Sequence, residues 1–285
     1  MDYLKHSFNF STYREIAHIQ ELDHENIIKI VDVFYKDKSI YTVLEFMEGD
    51  LYQLIHKEKA VLDPAHIKCI MHQVLVGLKF LHENKIMHRD LKPGNLLISK
   101  EGIIKYSDFG LARYCDIEDL KTKETEAGKL TRNVSTRYYR APEVLYGTYN
   151  YDFSIDIWSA GCIMGELALG DFLFKGENEI DQLSKIFCIL GNAVESCWPG
   201  VTELPNYIEF EWKQDKTLES MFSSQGDQFV DLISKMVVLD PSKRLTVDEA
   251  LSHPYFSCAP FPCHPSELPK PSLPAEKIDS FTDSD

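Results

Sequence analysis

The stretch His88-Arg89-Asp90-Leu91-Lys92-Pro93-Gly94-Asn95 puts a carboxylate, an ammonium and a carboxamide on one short loop, and Asp108-Phe109-Gly110 adds a second carboxylate soon after. Transfer of a phosphoryl group to an alcohol needs a carboxylate beside the attacking hydroxyl, a cation on the moving phosphate and oxygen ligands for magnesium. Asp90 is the residue to orient the hydroxyl and accept its proton. Lys92 would reach the γ-phosphate and offset the charge that develops in transfer. Asn95 and Asp108 are hard oxygen donors suited to Mg²⁺. Any one of these side chains reads equally well as a solvated loop residue. The whole series, followed in order by Ala141-Pro142-Glu143, does not.

The elements that must hold these loops can be read from periodicity. Residues 11–22 (STYREIAHIQEL) form a helical pattern opening at Ser11, with Glu15, Ile19 and Leu22 on one face. Strand-like runs follow at 28–35 and 40–46. Asp63-Pro64 opens a long amphipathic helix, the aspartate as N-cap and the proline in the first turn. Its apolar stripe is Ile67, Ile70, Met71, Val74, Leu75, Leu78 and Leu81. From about 154 to 256 the chain reads as helical throughout. The predicted fold is therefore α+β: a small, partly β portion over 1–46, a mostly helical portion over 47–256, and a tail over 257–285. Six of the 13 prolines fall in that tail, which ends acidic and polar, so it is expected to be flexible or to lie along the helices.

The 285 residues are ample for a buried core, with 44% apolar and 26% charged side chains. A net charge of -15 argues against a nucleic-acid binder. No apolar run has the length of a membrane span, and the start of the chain lacks a signal-peptide core. Seven cysteines with no Cys-x-x-Cys pair suggest reduced thiols and no metal cluster. Cys69, Cys162 and Cys188 fall in apolar helical patterns and read as core.

The catalytic octet, Asp-Phe-Gly and Ala-Pro-Glu together resemble the protein-kinase signature. A lysine two positions after Asp90 is similar to serine/threonine kinases. From about Ser11 to Pro271 the chain resembles the cyclin-dependent branch. Ser11-Thr12-Tyr13-Arg14-Glu15 resembles that branch's cyclin-binding helix, which implies a cyclin-like partner for residues 11–22 and makes Glu15 the family's glutamate. Glu45-Phe46-Met47 resembles the hinge that bonds adenine through its backbone. The resemblance makes Leu44 the gatekeeper, Leu97 the adenine floor and Asp50 the ribose contact. It implies ATP and Mg²⁺ as cofactors and a protein substrate phosphorylated on Ser/Thr, at a Ser/Thr-Pro site or in a kinase activation loop. Thr131 has the spacing of the activating threonine, whose phosphate would be met by Arg14, Arg89 and Arg113. Thr136 would brace Asp90 and Lys92, and Val134, Ser135 and Arg140 match the pocket that selects proline. Glu143 and Arg244 match a buried pair, and Asp156 the residue that bonds the catalytic-loop backbone.

Within the branch two subfamilies compete. ELPNYIEF resembles both the catalytic subunit of the kinase-activating complex and the cell cycle-related kinases. Cys162-Ile163-Met164-Gly165-Glu166-Leu167 and the tail APFPCHPSELPKP resemble the latter, which implies cell-cycle or ciliary signalling and a location in nucleus, cytoplasm and cilium. VSTRYYRAPEV also resembles mitogen-activated and male germ cell-associated kinases, and the segment between Asp108 and Thr131 is longer than the cyclin-dependent branch usually has.

One part of the pattern is missing. The first glycine is Gly49, so the sequence carries neither the Gly-rich hairpin over the phosphates nor the strand lysine that pairs with Glu15. Lys5 is the only lysine before Glu15 and lies too close to it to substitute. The expectation is a kinase N-lobe short of three strands, with a raw sheet edge. Losing one preorganised donor costs roughly 10²–10³ in rate, so only a small residue of activity and negligible stabilisation by MgATP are expected of the chain as written. The readings left open are a kinase whose given sequence is incomplete and a catalytically impaired kinase lobe that acts as a binding module.

Overall fold

The computed structural model describes residues 20, 22–36, 39–115, 136–209 and 213–272. The expected helix over 11–22, with Arg14 and Glu15, lies outside them apart from Gln20 and Leu22, as do Val134, Ser135 and Thr131.

Strands β1 (Ile30–Lys36) and β2 (Ser39–Leu44) form an antiparallel hairpin with Phe34 opposite Tyr41. Their rings stack with centroids 5.2 Å apart. Both faces of the hairpin stay open: Val31, Phe34, Tyr35, Tyr41 and Val43 are all exposed. The segment before it is tied down instead. Asn26 and Ile28 exchange backbone hydrogen bonds with Tyr106, and the Asn26 amide donates to the Ile104 carbonyl at 2.8 Å.

Strand β3 (Gly49–Asp50) begins the helical portion and leads into a helical turn at Gln53–Lys57. Helix α1 (Pro64–Glu83) starts where Asp63 and Pro64 predict: the Asp63 side chain accepts from the His66 amide at 2.8 Å, and His66 Nδ1 accepts in return from the Asp63 amide. The expected stripe of α1 is fully buried. Strands β4 (Ile86–Met87), β5 (Leu96–Ile98), β6 (Ile104–Tyr106) and β7 (Arg113–Tyr114) then hold the loops: β3, β5 and β6 make one small sheet, β4 and β7 another.

Helix α2 (Pro142–Leu145) precedes α3 (Ser154–Leu169), which is buried on nearly every side and packs against α1 and against α6 (Asp227–Met236). Helices α4 (Glu179–Leu190), α5 (Leu218–Phe222) and α7 (Val247–Leu251) complete the lobe. The expectation of helix throughout 154–256 fails between Gly191 and Thr217, where the described residues hold only a short turn at Val201–Glu203. Gly191 ends α4 at φ +85°, and Pro199 and Pro205 cannot supply the amides a helix needs.

Of the two expectations for the tail, its described part follows the second: residues 257–272 pack along the helices as a strap. Lys68, only 2% exposed, donates from Nζ to the carbonyls of Cys258 and Pro260, each at 2.8 Å, and lies over the Tyr255 ring. The Cys263 amide donates to the Ala65 carbonyl, Leu268 is buried, and the Pro265 carbonyl sits where a Cβ on Gly102 (φ +83°) would be. The strap ends at Pro271 against Gly49, with the Ser272 carbonyl accepting from Gln53 Nε2. Residues 273–285 lie outside the described part.

Candidate active site

Two left-handed residues shape the catalytic loop: Arg89 at φ +64° and Asp108 at φ +55°. Side chains rarely adopt this conformation without other bonds enforcing it. At Arg89 the enforcement comes from Asp156, fully buried on α3. Its carboxylate accepts from the backbone amides of His88 and Arg89, both at 2.9 Å, and from His82 Nε2 at 3.1 Å. Burial alone would raise its pKa, but those hydrogen bonds, the one from His82 first, outweigh it and hold the group below the usual carboxylate range.

His88 is fully buried, and desolvation pulls its pKa below the usual histidine value. Nδ1 accepts from the Asp90 amide at 3.3 Å and Nε2 donates to the Ser107 carbonyl at 3.2 Å, which fits the neutral ring. The unfolded chain therefore takes up this proton first. The contribution is fully present above about pH 6.5 and is lost as pH falls from there toward the folded pKa. Denaturant unfolding at pH 7.5 and 5.5 should show the His88→Phe variant losing about 1 kcal/mol less on acidification than the parent. An identical loss in both would refute the assignment.

The reacting groups converge on Asp90. Its Oδ1 accepts from the Thr136 amide at 2.8 Å and from the Thr136 hydroxyl at 3.2 Å. Its Oδ2 accepts from Lys92 Nζ at 2.6 Å and Asn95 Nδ2 at 3.1 Å. Lys92 also donates to Thr136 Oγ1 at 3.0 Å, so Thr136 braces both residues as expected. An ammonium has three protons, and one remains for a phosphoryl oxygen.

Magnesium and nucleotide can be tested against the donor set. The pairing of Leu96 with Tyr106 places Asn95 and Ser107 side by side, and Ser107 donates twice to the Asn95 carbonyl. Asp108 follows directly. Asn95 uses its amide nitrogen on the Asp90 carbonyl and carboxylate, which turns its Oδ1 away from them and leaves it to a cation. Asp108 is exposed, with Oδ1 accepting only weakly from the Gly110 amide at 3.4 Å. Among the described residues no cluster of three His, Cys, Asp or Glu side chains could hold a metal by itself. Two oxygen ligands suit Mg²⁺ completed by phosphate and water oxygens. The residues fit the group.

The nucleotide-facing residues are partly assembled. Asp50 pairs with Leu97 across β3 and β5, which brings the expected ribose contact and adenine floor together. Asp50 Oδ1 meanwhile accepts from the Gln53 amide at 2.8 Å. Glu45 turns its carboxylate to Lys105 Nζ and the Lys29 amide, both at 2.8 Å, and its own amide donates to the Lys29 carbonyl at 3.1 Å, which leaves its carbonyl to meet a base. Met47 packs on the core, whereas Leu44 is 41% exposed at the end of β2.

Two of the three expected phosphate-binding arginines come together. The β4–β7 pairing sets Met87 against Arg113, and Arg89 and Arg113 both act on the Tyr151 hydroxyl. Arg89 donates to that hydroxyl at 3.1 Å and to the Leu111 carbonyl at 2.6 Å. Arg140, expected at the proline pocket, is bridged to Glu179 at 2.7 Å. Glu143 and Arg244 form the expected buried pair through two 2.6 Å bonds.

Three residues escaped the sequence reading. His82 supports Asp156 from α1, and Tyr151 receives Arg89. Glu166, fully buried on α3, bonds His56 Nε2 at 2.6 Å, and His56 stacks on Phe172. Burial raises the Glu166 pKa despite the bonds from His56 and Tyr139. No local motif marks these partners.

A helical lobe that presents a braced Asp-Lys pair beside two magnesium-suited oxygens is built for phosphoryl transfer. Residues 3–256 match the protein kinase domain family model. The chain is 43% identical over 263 residues to cyclin-dependent kinase 7 of Dictyostelium discoideum, covering 92% of this chain and 71% of that one. It is 42% identical over 265 residues to cyclin-dependent kinase 20 of Mus musculus, covering 92% and 74%. Cyclin-dependent kinase D-1 of Oryza sativa subsp. japonica is 41% identical over 267 residues, 94% of this chain but 61% of that relative. Among solved structures, a CAK complex of Chaetomium thermophilum bound to ATP-gamma-S superposes with TM-score 0.84 at 35% identity, covering 95% and 84%. The yeast RNA Pol II CTD kinase CTDK-1 complex gives 0.83 at 30%, covering 92% and 86%. The chain belongs to the protein kinase family, in its cyclin-dependent branch.

Proposed function

We propose that this chain is the catalytic part of an ATP- and Mg²⁺-dependent serine/threonine kinase that is proline-directed and switched by phosphorylation of Thr131. The Asp90-Lys92-Thr136 cluster beside Asn95 and Asp108 carries the reading. Bound MgATP would supply the phosphoryl group and the counter-charge of the metal. Asp90 orients the acceptor hydroxyl and takes its proton. Lys92 holds a phosphoryl oxygen with its remaining proton, and Thr136 keeps both side chains in register. Asn95 and Asp108 would hold the metal. The proximity of Arg89 and Arg113 supports a phosphothreonine switch at Thr131, with Arg14 as third partner.

Residues 11–22 are proposed as the contact for a cyclin-like subunit; the two structural neighbours above are themselves complexes. Within the branch we place the chain with the cell cycle-related kinases, on Cys162–Leu167 and the tail motif, in nucleus, cytoplasm and cilium. Identities of 43% and 42% to relatives of two different names do not rank the subfamilies. The second reading is a kinase lobe that acts as a binding module.

Peptides that differ only in the acceptor and the following residue test the assignment. Ser-Pro and Thr-Pro peptides should be labelled at least about tenfold faster than Ser-Ala or Tyr-Pro versions. Equal rates for all four would remove the specificity, and no transfer to any would favour the module.

A further inference from the structure

Strand β3 is an edge strand of two residues, paired with β5 through Gly49 and Asp50. So short a ladder does little to fix the carboxylate that Asp50 presents. The turn after it adds one bond, from the Gln53 amide to Asp50 Oδ1 at 2.8 Å. That bond uses one carboxylate oxygen and leaves Oδ2 to another donor. Opposite Asp50, Leu97 stands two residues from Asn95, roughly 7 Å along the strand. The hydroxyls of a nucleotide's sugar would lie at about that reach from a metal-bound phosphate.

The far end of the described chain supports the same turn. Gln53 Nε2 donates to the Ser272 carbonyl at 2.8 Å and to Glu58 Oε1 at 3.3 Å. Glu58 Oε1 also accepts from the Ser272 amide at 2.5 Å. Buried Pro271 comes so near Gly49 that a Cβ there would stand 2.8 Å from the proline Cβ. Gln53 therefore holds Asp50 with its backbone and the strap with its side chain. The strap has its own moorings on Lys68 and Ala65 and at buried Leu268, so its end arrives already fixed in place.

We propose that Pro271 and Ser272 are positioning residues for nucleotide binding: the end of the strap fixes the Gly49–Gln53 turn and so aims Asp50 at the hydroxyls of a ribose. The inference rests on the nucleotide reading above. Neither residue touches the ligand; Pro271 acts through Gly49 and Ser272 through Gln53 and Glu58. Without the strap the Asp50 carboxylate turns more freely to water. A hydroxylated sugar then loses its acceptor, whereas a sugar without hydroxyls loses nothing. A strap that only braced the fold would favour neither sugar over the other.

The probes are ADP and 2′,3′-dideoxy-ADP, titrated by ligand-observed NMR. The proteins are the whole chain, a chain ending at Lys270, Gly49→Ala, and the last two changes combined. The whole chain should prefer ADP. Ending it at Lys270 should weaken ADP about tenfold, the worth of one positioned hydrogen bond, and move dideoxy-ADP by less than about twofold. Gly49→Ala keeps the full chain but drives a Cβ into Pro271, and it should do the same. In the shortened chain it should add nothing, because the proline it displaces is gone. An ADP affinity that survives both changes overturns the role of the strap and leaves the nucleotide reading standing. Equal losses for the two nucleotides overturn it as well, since they report bracing of the fold. A whole chain that binds neither nucleotide overturns the nucleotide reading itself, and this inference with it.

Discussion

Asp90→Asn should slow phosphoryl transfer to a Ser/Thr-Pro peptide by roughly 10²–10⁴, the range a positioned acid–base group supplies. Asparagine has the right shape, and its oxygen can still accept from Thr136. Its amide nitrogen, however, would face Lys92 Nζ and Asn95 Nδ2, both of which now donate to Asp90 Oδ2. Three donor groups would then crowd together, and Lys92 would lose the partner that aims it. The loss should fall on kcat with the KM for nucleotide changing far less, because Asp90 touches the acceptor and not the base. A variant within threefold of the parent would remove Asp90 from the reaction.

Arg244→Ala should be the most destabilising single change in the helical lobe, at about 3–5 kcal/mol. The Arg244 guanidinium is fully buried and satisfies both oxygens of buried Glu143, the carbonyls of Val238, Leu239 and Ser154, and the face of Trp158. Truncation would strand a carboxylate and three carbonyls at the junction of α2, α3 and the turn before α7. For a chain of this size the melting temperature should fall roughly 10 °C. Removing both charges in Glu143→Gln/Arg244→Met should cost less than the two single changes summed, since neither charge is left alone. Strict additivity by differential scanning calorimetry would mean that the pair is not coupled.

The catalytic loop was legible because its groups are contiguous: Asp90, Lys92 and Asn95 need only one turn of backbone to meet. The start of α1 was legible for the same reason, since Asp63 caps a residue three positions away. What holds that loop was legible only in part. Asp156 could be matched by resemblance, but its partner His82 lies 74 residues away, and Glu166 lies 110 residues from His56. Such pairs follow from packing between helices and leave no spacing in the chain. Composition left the tail open between a flexible segment and one lying along the helices, because prolines and few apolar residues do not say what docks them. Its docking rests on backbone carbonyls gripped by Lys68, and a carbonyl looks the same in every sequence. The break after α4 was the avoidable error, for Gly191, Pro199 and Pro205 stand in plain view.

Radiolabelled γ-phosphate transfer from ATP to a Ser/Thr-Pro peptide, run with Mg²⁺ and with a chelator, tests the central assignment most directly. The site described here predicts slow, magnesium-dependent label on the peptide alcohol that falls to background in Asp108→Ala. Label that survives chelation, or that Asp108→Ala makes as fast as the parent, would contradict it.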